Sequence, residues 1–440
     1  MFDQQEASRE VHTSESPCTE ATATQPDPLS RLTERLLDNG FTHFLLSLRE
    51  QFPEAHLKDL VAQELDAGRR IRIGRHTVIN FGSDSFLGLD QDPRVQEAIA
   101  QGVRKWGTHN GSSRAFCSIE ANVEAEARLA SWLAVEDTLI FPSVTLANMS
   151  LLPALAGARD LLVVDRQAHN SIQEGAKIAG ANGARIAVLA PCTPERLESL
   201  LAREKYKGCV VALDGVYSMT GASPPLAELD RVARAHGGVL YIDDAHGTGI
   251  FGPRGRGMAA RALGRLDQVL MVGSLSKAFS CLGAFVSCSS DLKLVLKMKS
   301  SSYIFGGPVP PPYLEAIRVV CDILCSSEFD TLMGKLRRLI QRLVAGARSL
   351  DLPVLGGDSP IVAILIQDEA KTLRAGKWLF DRGFYVQSVI FPAVPLGGGV
   401  LRIQVNANHS REAVDGLLSA LADLKKEMCL SLVHAQRPPP

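Results

Sequence analysis

The stretch VLYIDDAHGTGIFGPRGRG, Val239 to Gly257, followed after a spacer by QVLMVGSLSKAF, Gln268 to Phe279, decides the fold. Its first half is an apolar run, Val239 to Ile242, that stops at Asp243, Asp244 and His246 among glycines. The second is another apolar run, Val269 to Val272, that ends in Gly-Ser-Leu-Ser-Lys. Unbroken Val/Ile/Leu runs of this length predict parallel strands buried on both faces, since a half-exposed strand would alternate. In open α/β sheets ligands sit just beyond the carboxyl ends of such strands. Asp243, His246 and Lys277 are therefore expected to share one crevice.

The residue types point to a chemistry. A lysine in an otherwise apolar, hydroxyl-lined turn is a Schiff-base candidate, because burial disfavours the ammonium form. Pyridoxal phosphate needs such an amine, plus a carboxylate that keeps its pyridine nitrogen protonated so that the ring accepts electrons. Lys277 and Asp243 would supply the two groups. His246, three residues beyond Asp243, is within reach of the ring's phenolic oxygen. Singly, an Asp-Asp strand end and a Ser-x-Ser-Lys turn have structural explanations as a solvated edge and a helix cap. Their combination behind two apolar runs is far more specific.

The pattern D-D-A-H-G-x-G at Asp243 to Gly249, G-x-x-G-x-G at Gly252 to Gly257 and S-x-x-K at Ser274 to Lys277 resembles that of the α-oxoamine synthases. These pyridoxal-phosphate enzymes join a small amino acid to an acyl thioester with loss of carbon dioxide. The resemblance extends in weaker patches over roughly residues 75 to 425. It implies a fold-type-I α/β architecture: a large domain on a doubly wound mixed sheet, with a smaller α/β domain at the C-terminus. It also implies a homodimer with its active sites at the interface.

Composition agrees with such an enzyme. A chain of 440 residues with 46% hydrophobic content can bury a main domain and a smaller one. A net charge of −1 offers no basic surface for nucleic acid. The longest apolar stretch is interrupted by Arg159 and Asp160, short of a membrane span. The N-terminus, with Asp3, Glu6, Arg9 and Glu10, lacks the apolar core of a secretory signal. Nine cysteines without a CxxC pair suit a reducing, cytoplasmic setting and no metal site; Cys321 and Cys325 are expected to share one buried helix face.

Along the chain, residues 1–27 read as a disordered leader and 28–75 as an N-terminal helical segment with Leu29, Leu32, Leu36 and Leu37 on one face, helical to about Gly68. A large cofactor-binding domain is expected over 76–312, a small C-terminal domain over 313–430, and a disordered tail over 431–440. NFGSDSFLGL, Asn80 to Leu89, resembles the motif N-F-x-S-N-D-Y-L-G-L, with Asp84 in the asparagine position. GTHNGSSRAF, Gly107 to Phe116, matches a loop that brings Arg114 into register, and Arg114-x-Phe116 tilts the amino acid towards serine. Both Asp84 and Arg114 are substrate-contact candidates. Ser143, Val144 and Thr145 precede or open a helix whose N-terminus would bind the cofactor phosphate, with Ser274 assisting.

The resemblance assigns further roles. His169, in D-R-x-x-H, would stack on the pyridine ring and polarise the thioester. Ser218, in VYSMTG, would lie near the phenolic oxygen, in a segment followed by a helix through Ala233. Pro308 to Pro312 would launch one long helix to about Leu350. In VIFPAVP, Val389 to Pro395, Ile390 stands where the family often has a carboxylate-binding arginine, which leaves Arg402 as the carboxylate candidate. The expected activity is a decarboxylating condensation of serine, glycine or alanine with an acyl-coenzyme A or acyl-carrier-protein thioester. Lys277, His169 and Asp243 would be the catalytic residues. Another fold-type-I reaction, such as amino transfer, is the alternative raised by Ile390. A non-catalytic subunit is the other, and the presence of Lys277 speaks against it.

Overall fold

A computed structural model of the chain describes residues 27–53 and 60–428. The expected tail, and the expected leader up to its last residue, lie outside these. The chain divides after Pro53 into two compact units. The first holds α1 (Pro28–Leu37) and α2 (Gly40–Gln51). Asp27 caps α1 by accepting from the Leu29 and Ser30 amides, with Pro28 pre-set for the first helical turn. Asn39 caps α2 through the Thr42 amide and so splits the expected single helix. The leucine stripe of α1 is exposed, from 40% at Leu32 to 70% at Leu29.

Helix does not continue to Gly68. β1 (Glu64–Leu65) and β2 (Arg70–Ile73) form a hairpin, because Asp66 closes a tight turn: its carbonyl accepts from Arg69 N and its side chain from Arg70 N. β3 (His76–Asn80) pairs with β2, and α3 (Pro93–Trp106) and α4 (Glu120–Leu133) follow. Next come β4 (Asp137–Phe141), α5 (Val144–Leu155), β5 (Leu161–Asp165), α6 (Asn170–Ala181), β6 (Arg185–Leu189), α7 (Pro194–Arg203) and β7 (Cys209–Asp214). The alternation continues through α8 (Leu226–Ala235), β8 (Gly238–Asp243), α9 (Met258–Leu263), β9 (Leu270–Ser274) and β10 (Ala284–Cys288).

These strands make a seven-stranded sheet in the order β4-β10-β9-β8-β7-β5-β6. Neighbours from β9 to β6 are parallel, and β10 is antiparallel to both its neighbours, so the sheet is mixed. Alternate residues of each strand feed two cores. Leu162, Val164, Tyr241 and Val272 pack on the face of α5 and α6, whereas Val163, Val211, Ile242 and Met271 pack on the face of α4, α7 and α8. Burial on both faces is what the unbroken apolar runs encode, and it makes the sheet doubly wound.

α10 (Ser290–Lys299) and α11 (Ser301–Phe305) lead to α12 (Pro311–Cys325) and α13 (Glu328–Ser349). The one long helix expected here is thus two. Ser326 ends the first by donating to the Ile323 carbonyl (2.7 Å) and starts the second by accepting from Glu328 N (3.2 Å). Cys321 is buried but Cys325, in the last turn, is exposed, and both are free thiols. The helix expected around Ala233 begins earlier, at Leu226, directly after Pro224 and Pro225. The chain closes with β11 (Val354–Gly356), β12 (Ile361–Gln367), α14 (Glu369–Asp381), β13 (Phe384–Tyr385), β14 (Gln387–Val389), β15 (Gly399–Gln404) and α15 (Arg411–Glu427). β11-β12-β15-β14 is an antiparallel sheet, and β13 joins β3. Among the described residues no helix is long and apolar enough to cross a membrane.

Candidate active site

Three strands of the large sheet end in aspartates at the same edge: Asp165 on β5, Asp214 on β7 and Asp243 on β8, with Asp214 and Asp243 in register. Two buried carboxylates side by side cannot both be charged cheaply. Burial, and then the neighbouring Asp243, push the Asp214 carboxyl well above the usual carboxylate range. Asp214 is therefore the neutral acid of the pair, and its Oδ1 accepts from His169 N at 3.0 Å. Asp243 collects two donors, Asn148 Nδ2 at 2.6 Å and Ala245 N at 3.1 Å.

A connected chain of bonds fixes this corner. Tyr241 OH donates to Asn148 Oδ1 (2.7 Å), and Asn148 Nδ2 donates to Ser171 Oγ (2.8 Å) as well as to Asp243. Ser171 Oγ lies 2.7 Å from His169 Nδ1, which also receives Ser171 N. With its oxygen already accepting from Asn148, Ser171 gives its proton to Nδ1. The imidazole's own proton is then on Nε2, in an exposed ring at the start of α6.

The Asp243–Gly257 turn packs inward. Asp244 is fully buried and holds Ala259 N at 3.0 Å; burial, with Asp243 close by, pushes its carboxyl up to about 8. Gly257 has φ of 109°, and a side chain there would run into the Asp244 carboxyl and Met271, so the glycine spacing of the motif is a packing requirement. His246 is 7% exposed and its Nδ1 finds no partner among the described residues. Burial first, then the charges of Lys277 and Arg402 and the His169 ring, hold it well below the usual imidazole range. It is thus a neutral ring with a buried, unused nitrogen. Lys277 follows β9 in the turn at the same edge, and its charge is felt at both Asp214 and His246.

Antiparallel β10 brings the phosphate candidates to that edge too. Ala284 faces Phe141 on one side and Ser274 on the other, so the end of β4 and the end of β9 flank it. Ser143 caps α5 by accepting from Leu146 N (3.2 Å), with Val144 and Thr145 as the first helical residues. Their amides belong to the turn whose N–H groups have no intrahelical partner. Ser274 Oγ accepts from Ser276 N and lies 3.1 Å from Ser276 Oγ.

Arg402, buried on β15, donates from Nε to the Ser218 carbonyl (2.6 Å), from Nη1 to Gln387 Oε1 (2.7 Å) and from Nη2 to Asp84 Oδ1 (3.2 Å). Gln404 Nε2 donates to the same Asp84 oxygen. Asp84, Ser218 and Arg402, scattered in sequence, are thereby one cluster, and Arg402 is close enough to His246 to bias it. Arg114 is not brought in. Its guanidinium is buried against Glu126, with Nε on Ser118 Oγ (3.1 Å) and the Tyr303 ring 5.2 Å away. Glu126 also holds Lys293 (2.9 Å) and Ile140 N (2.9 Å). The residue read as a substrate contact is a structural ion pair, because a buried guanidinium needs a carboxylate and the nearest one is internal. Two contributors escaped the sequence reading, Gln387 and Gln404 beside Arg402. Asn148 and Asp214 carried a signal, as residues in register with family motifs, but not the roles they have here as partners of Asp243 and His169.

The unused His246 nitrogen, a carboxylate held by two donors, a lysine turn and a capped helix start at one buried edge fit pyridoxal phosphate. Fold and site together define a fold-type-I pyridoxal-phosphate-dependent transferase. The family model for aminotransferase class I and II matches residues 76–421. The chain is 37% identical over 347 residues to an 8-amino-7-oxononanoate synthase of Methylococcus capsulatus, covering 78% of this chain and 88% of that protein. It is 31% identical over 351 residues to a serine palmitoyltransferase of Bacteriovorax stolpii, covering 79% and 82% respectively. A solved serine palmitoyltransferase from S. paucimobilis with bound PLP and myriocin superposes with a TM-score of 0.83 at 25% identity, covering 92% of this chain and all (100%) of that one. The chain belongs to the aminotransferase class I and II family and, within it, to the α-oxoamine synthases.

Proposed function

We propose that this chain is a C-acyltransferase that condenses a small amino acid (serine, glycine or alanine) with an acyl thioester, releasing carbon dioxide and giving an α-amino ketone. The observation that carries the reading is the buried sheet edge where Asp243, clamped by Asn148, ends β8, with the neutral His246 just beyond it and within the influence of the Lys277 charge. The names borne by its relatives, 8-amino-7-oxononanoate synthase and serine palmitoyltransferase, support the same chemistry.

Pyridoxal phosphate, when bound, supplies an electron sink for the charge that develops at the substrate Cα. The chain does the rest. Lys277 would hold the cofactor as its Schiff-base residue, and its amine would serve as the base for the Cα proton. Asp243, held by its two donors, would keep a proton on the pyridine nitrogen. Asp214, as the neutral acid, adds no second negative charge beside it. His246 offers Nδ1 to the phenolic oxygen, with Ser218 nearby. His169, whose Nε2–H is left free for a partner by the Ser171 bonds at Nδ1, would stack on the bound ring and offer that proton to the thioester carbonyl. Ser143, Val144, Thr145 and Ser274 hold the phosphate, and Arg402 the amino-acid carboxylate. The acyl donor is a coenzyme A or carrier-protein thioester, and the enzyme works as a cytoplasmic homodimer. Purified protein given each amino acid with an acyl thioester is expected to release carbon dioxide and free thiol in equal amounts. Amino transfer to an oxo acid without carbon dioxide would overturn the reading.

A further inference from the structure

A substrate carboxylate needs a cation, and in the reading above that cation is Arg402. Its guanidinium is already engaged on three sides, and one of the partners is an anion, Asp84. The motif around it has a neutral asparagine in the Asp84 position. Ile390, 5% exposed, stands where a second arginine would otherwise help. The cluster therefore sets the Arg402 cation against a built-in negative charge, Asp84.

The pair is unequal in a telling way. The Arg402 side chain is 6% exposed and the Asp84 side chain 38%. Asp84 is held through Oδ1 alone, which Arg402 and Gln404 share, and Oδ2 receives no hydrogen bond among the described residues. A buried guanidinium left without an anion is costly, so Arg402 requires a carboxylate in both the free and the loaded site. A half-exposed carboxylate gripped by one oxygen is the partner that can be exchanged; the Ser218 carbonyl and Gln387 keep the guanidinium in place meanwhile.

We propose that Asp84 is a specificity-determining positioning residue. It is a resident carboxylate that fills the anion seat of Arg402 and yields it to the carboxylate of the incoming amino acid. Affinity for the amino acid is then the outcome of a competition between two carboxylates, and it is weaker than a neutral residue at position 84 would allow. This rests on Arg402 being the carboxylate site of the proposed function.

The test is a titration of the absorption of protein-bound pyridoxal phosphate with glycine, alanine and serine, each beside its decarboxylated amine (methylamine, ethylamine, ethanolamine). Asp84→Asn is isosteric and keeps an oxygen acceptor for Gln404 and for Arg402 Nη2, so it removes the competing charge and leaves the buried guanidinium to the substrate carboxylate, at some cost in stability of the unloaded protein. It is expected to lower the apparent Kd of each amino acid about tenfold, while the amines shift by less than about twofold. In kinetics KM for the amino acid falls. Asp84→Glu, which restores the charge, is expected to bind amino acids as weakly as the wild type. Equal tightening of acids and amines, no tightening at all, or an Asp84→Glu variant as tight as Asp84→Asn would overturn the inference alone. A wild-type protein whose spectrum responds to no amino acid would overturn the proposed function, and this inference with it.

Discussion

Asn148 Nδ2 lies 2.6 Å from Asp243 Oδ2, and Asn148 Oδ1 receives the Tyr241 hydroxyl at 2.7 Å. One amide on α5 thus uses both of its ends to hold a carboxylate on β8, three places along the sheet from β4, the strand that α5 follows. The Asp243 oxygen cannot rotate without breaking a buried bond, and the Asn148 orientation is itself set by that carboxylate oxygen, which accepts from Nδ2 and leaves Oδ1 to the Tyr241 hydroxyl.

Asn148→Leu removes these two bonds and the one to Ser171 Oγ while keeping the side-chain volume similar. It leaves Tyr241 OH unpaired in a fully buried position, which costs about 1–3 kcal/mol of stability, measurable by denaturant unfolding. A lost hydrogen bond to a charged group, at about 1.5–3 kcal/mol, also corresponds to a kcat lower by roughly tenfold to a hundredfold. Unchanged kcat in a folded variant would count against the aiming role.

Lys277→Ala is expected to purify without the visible absorption of a lysine-bound cofactor. Turnover should fall at least about a hundredfold, because the same amine is the proposed general base. Circular dichroism should remain that of the wild type, since no buried bond of the Lys277 side chain holds the fold. Activity near the wild-type level would remove the lysine from the chemistry.

Arg114→Met breaks a pair whose members are only 4% and 2% exposed. Glu126 keeps Lys293 and the Ile140 amide, so the expected loss is about 3 kcal/mol, the low end for an orphaned buried charge. KM for the amino acid should stay within about twofold if substrate contact is no part of its role. A large rise in KM with unchanged stability would restore Arg114 to the substrate pocket.

Asp244 is the protonated member of a buried pair of neighbours. Its carboxyl, at an ordinary 3.8 when unfolded, is pushed up to about 8 by burial. Between those values the unfolded chain gives up a proton that the folded chain keeps. The resulting stabilisation is full below the lower value and is lost as pH rises through the upper one. Unfolding free energy measured at about pH 6 and about pH 8.5 should therefore decline, and Asp244→Asn, which copies the neutral acid, should flatten that decline.

His409 titrates the other way. Burial holds it down to about 4 from 6.5, and both nitrogens are used: Nδ1 accepts from Asn406 N (3.0 Å) and Nε2 donates to the Asn80 carbonyl (3.1 Å). A proton on Nδ1 would face an N–H. Stability from this group is present above about 6.5 and is lost as pH falls towards about 4. The midpoint of urea unfolding should drop across that range, and should drop less in His409→Gln.

Much of the site could be read directly from the chain because its determinants are local. The run Val239 to Ile242 reads as a buried strand from residue type alone, and Asp243 must then lie at the strand's carboxyl end, where the ligand crevice is. The same argument puts Lys277 there after Val269 to Val272. Element boundaries were less legible where polar side chains intervene. Asn39 divides α1 from α2, Ser326 divides α12 from α13, and the Asp66 turn makes a hairpin where helix was expected. Each is one side chain taking a backbone group that helix periodicity assigns to the next turn.

What the sequence by itself determined is the doubly wound sheet and the presence of Asp243, His246 and Lys277 at one edge, since apolar runs and strand ends depend only on near neighbours. What only the tertiary structure decided is which partner each buried polar group found. Asn148 meets Asp243 across 95 residues and Arg402 meets Asp84 across 318, while Arg114 turns inward to Glu126. Desolvation compels a buried charge to find a partner, but only the packed fold determines which carboxylate or amide lies within reach.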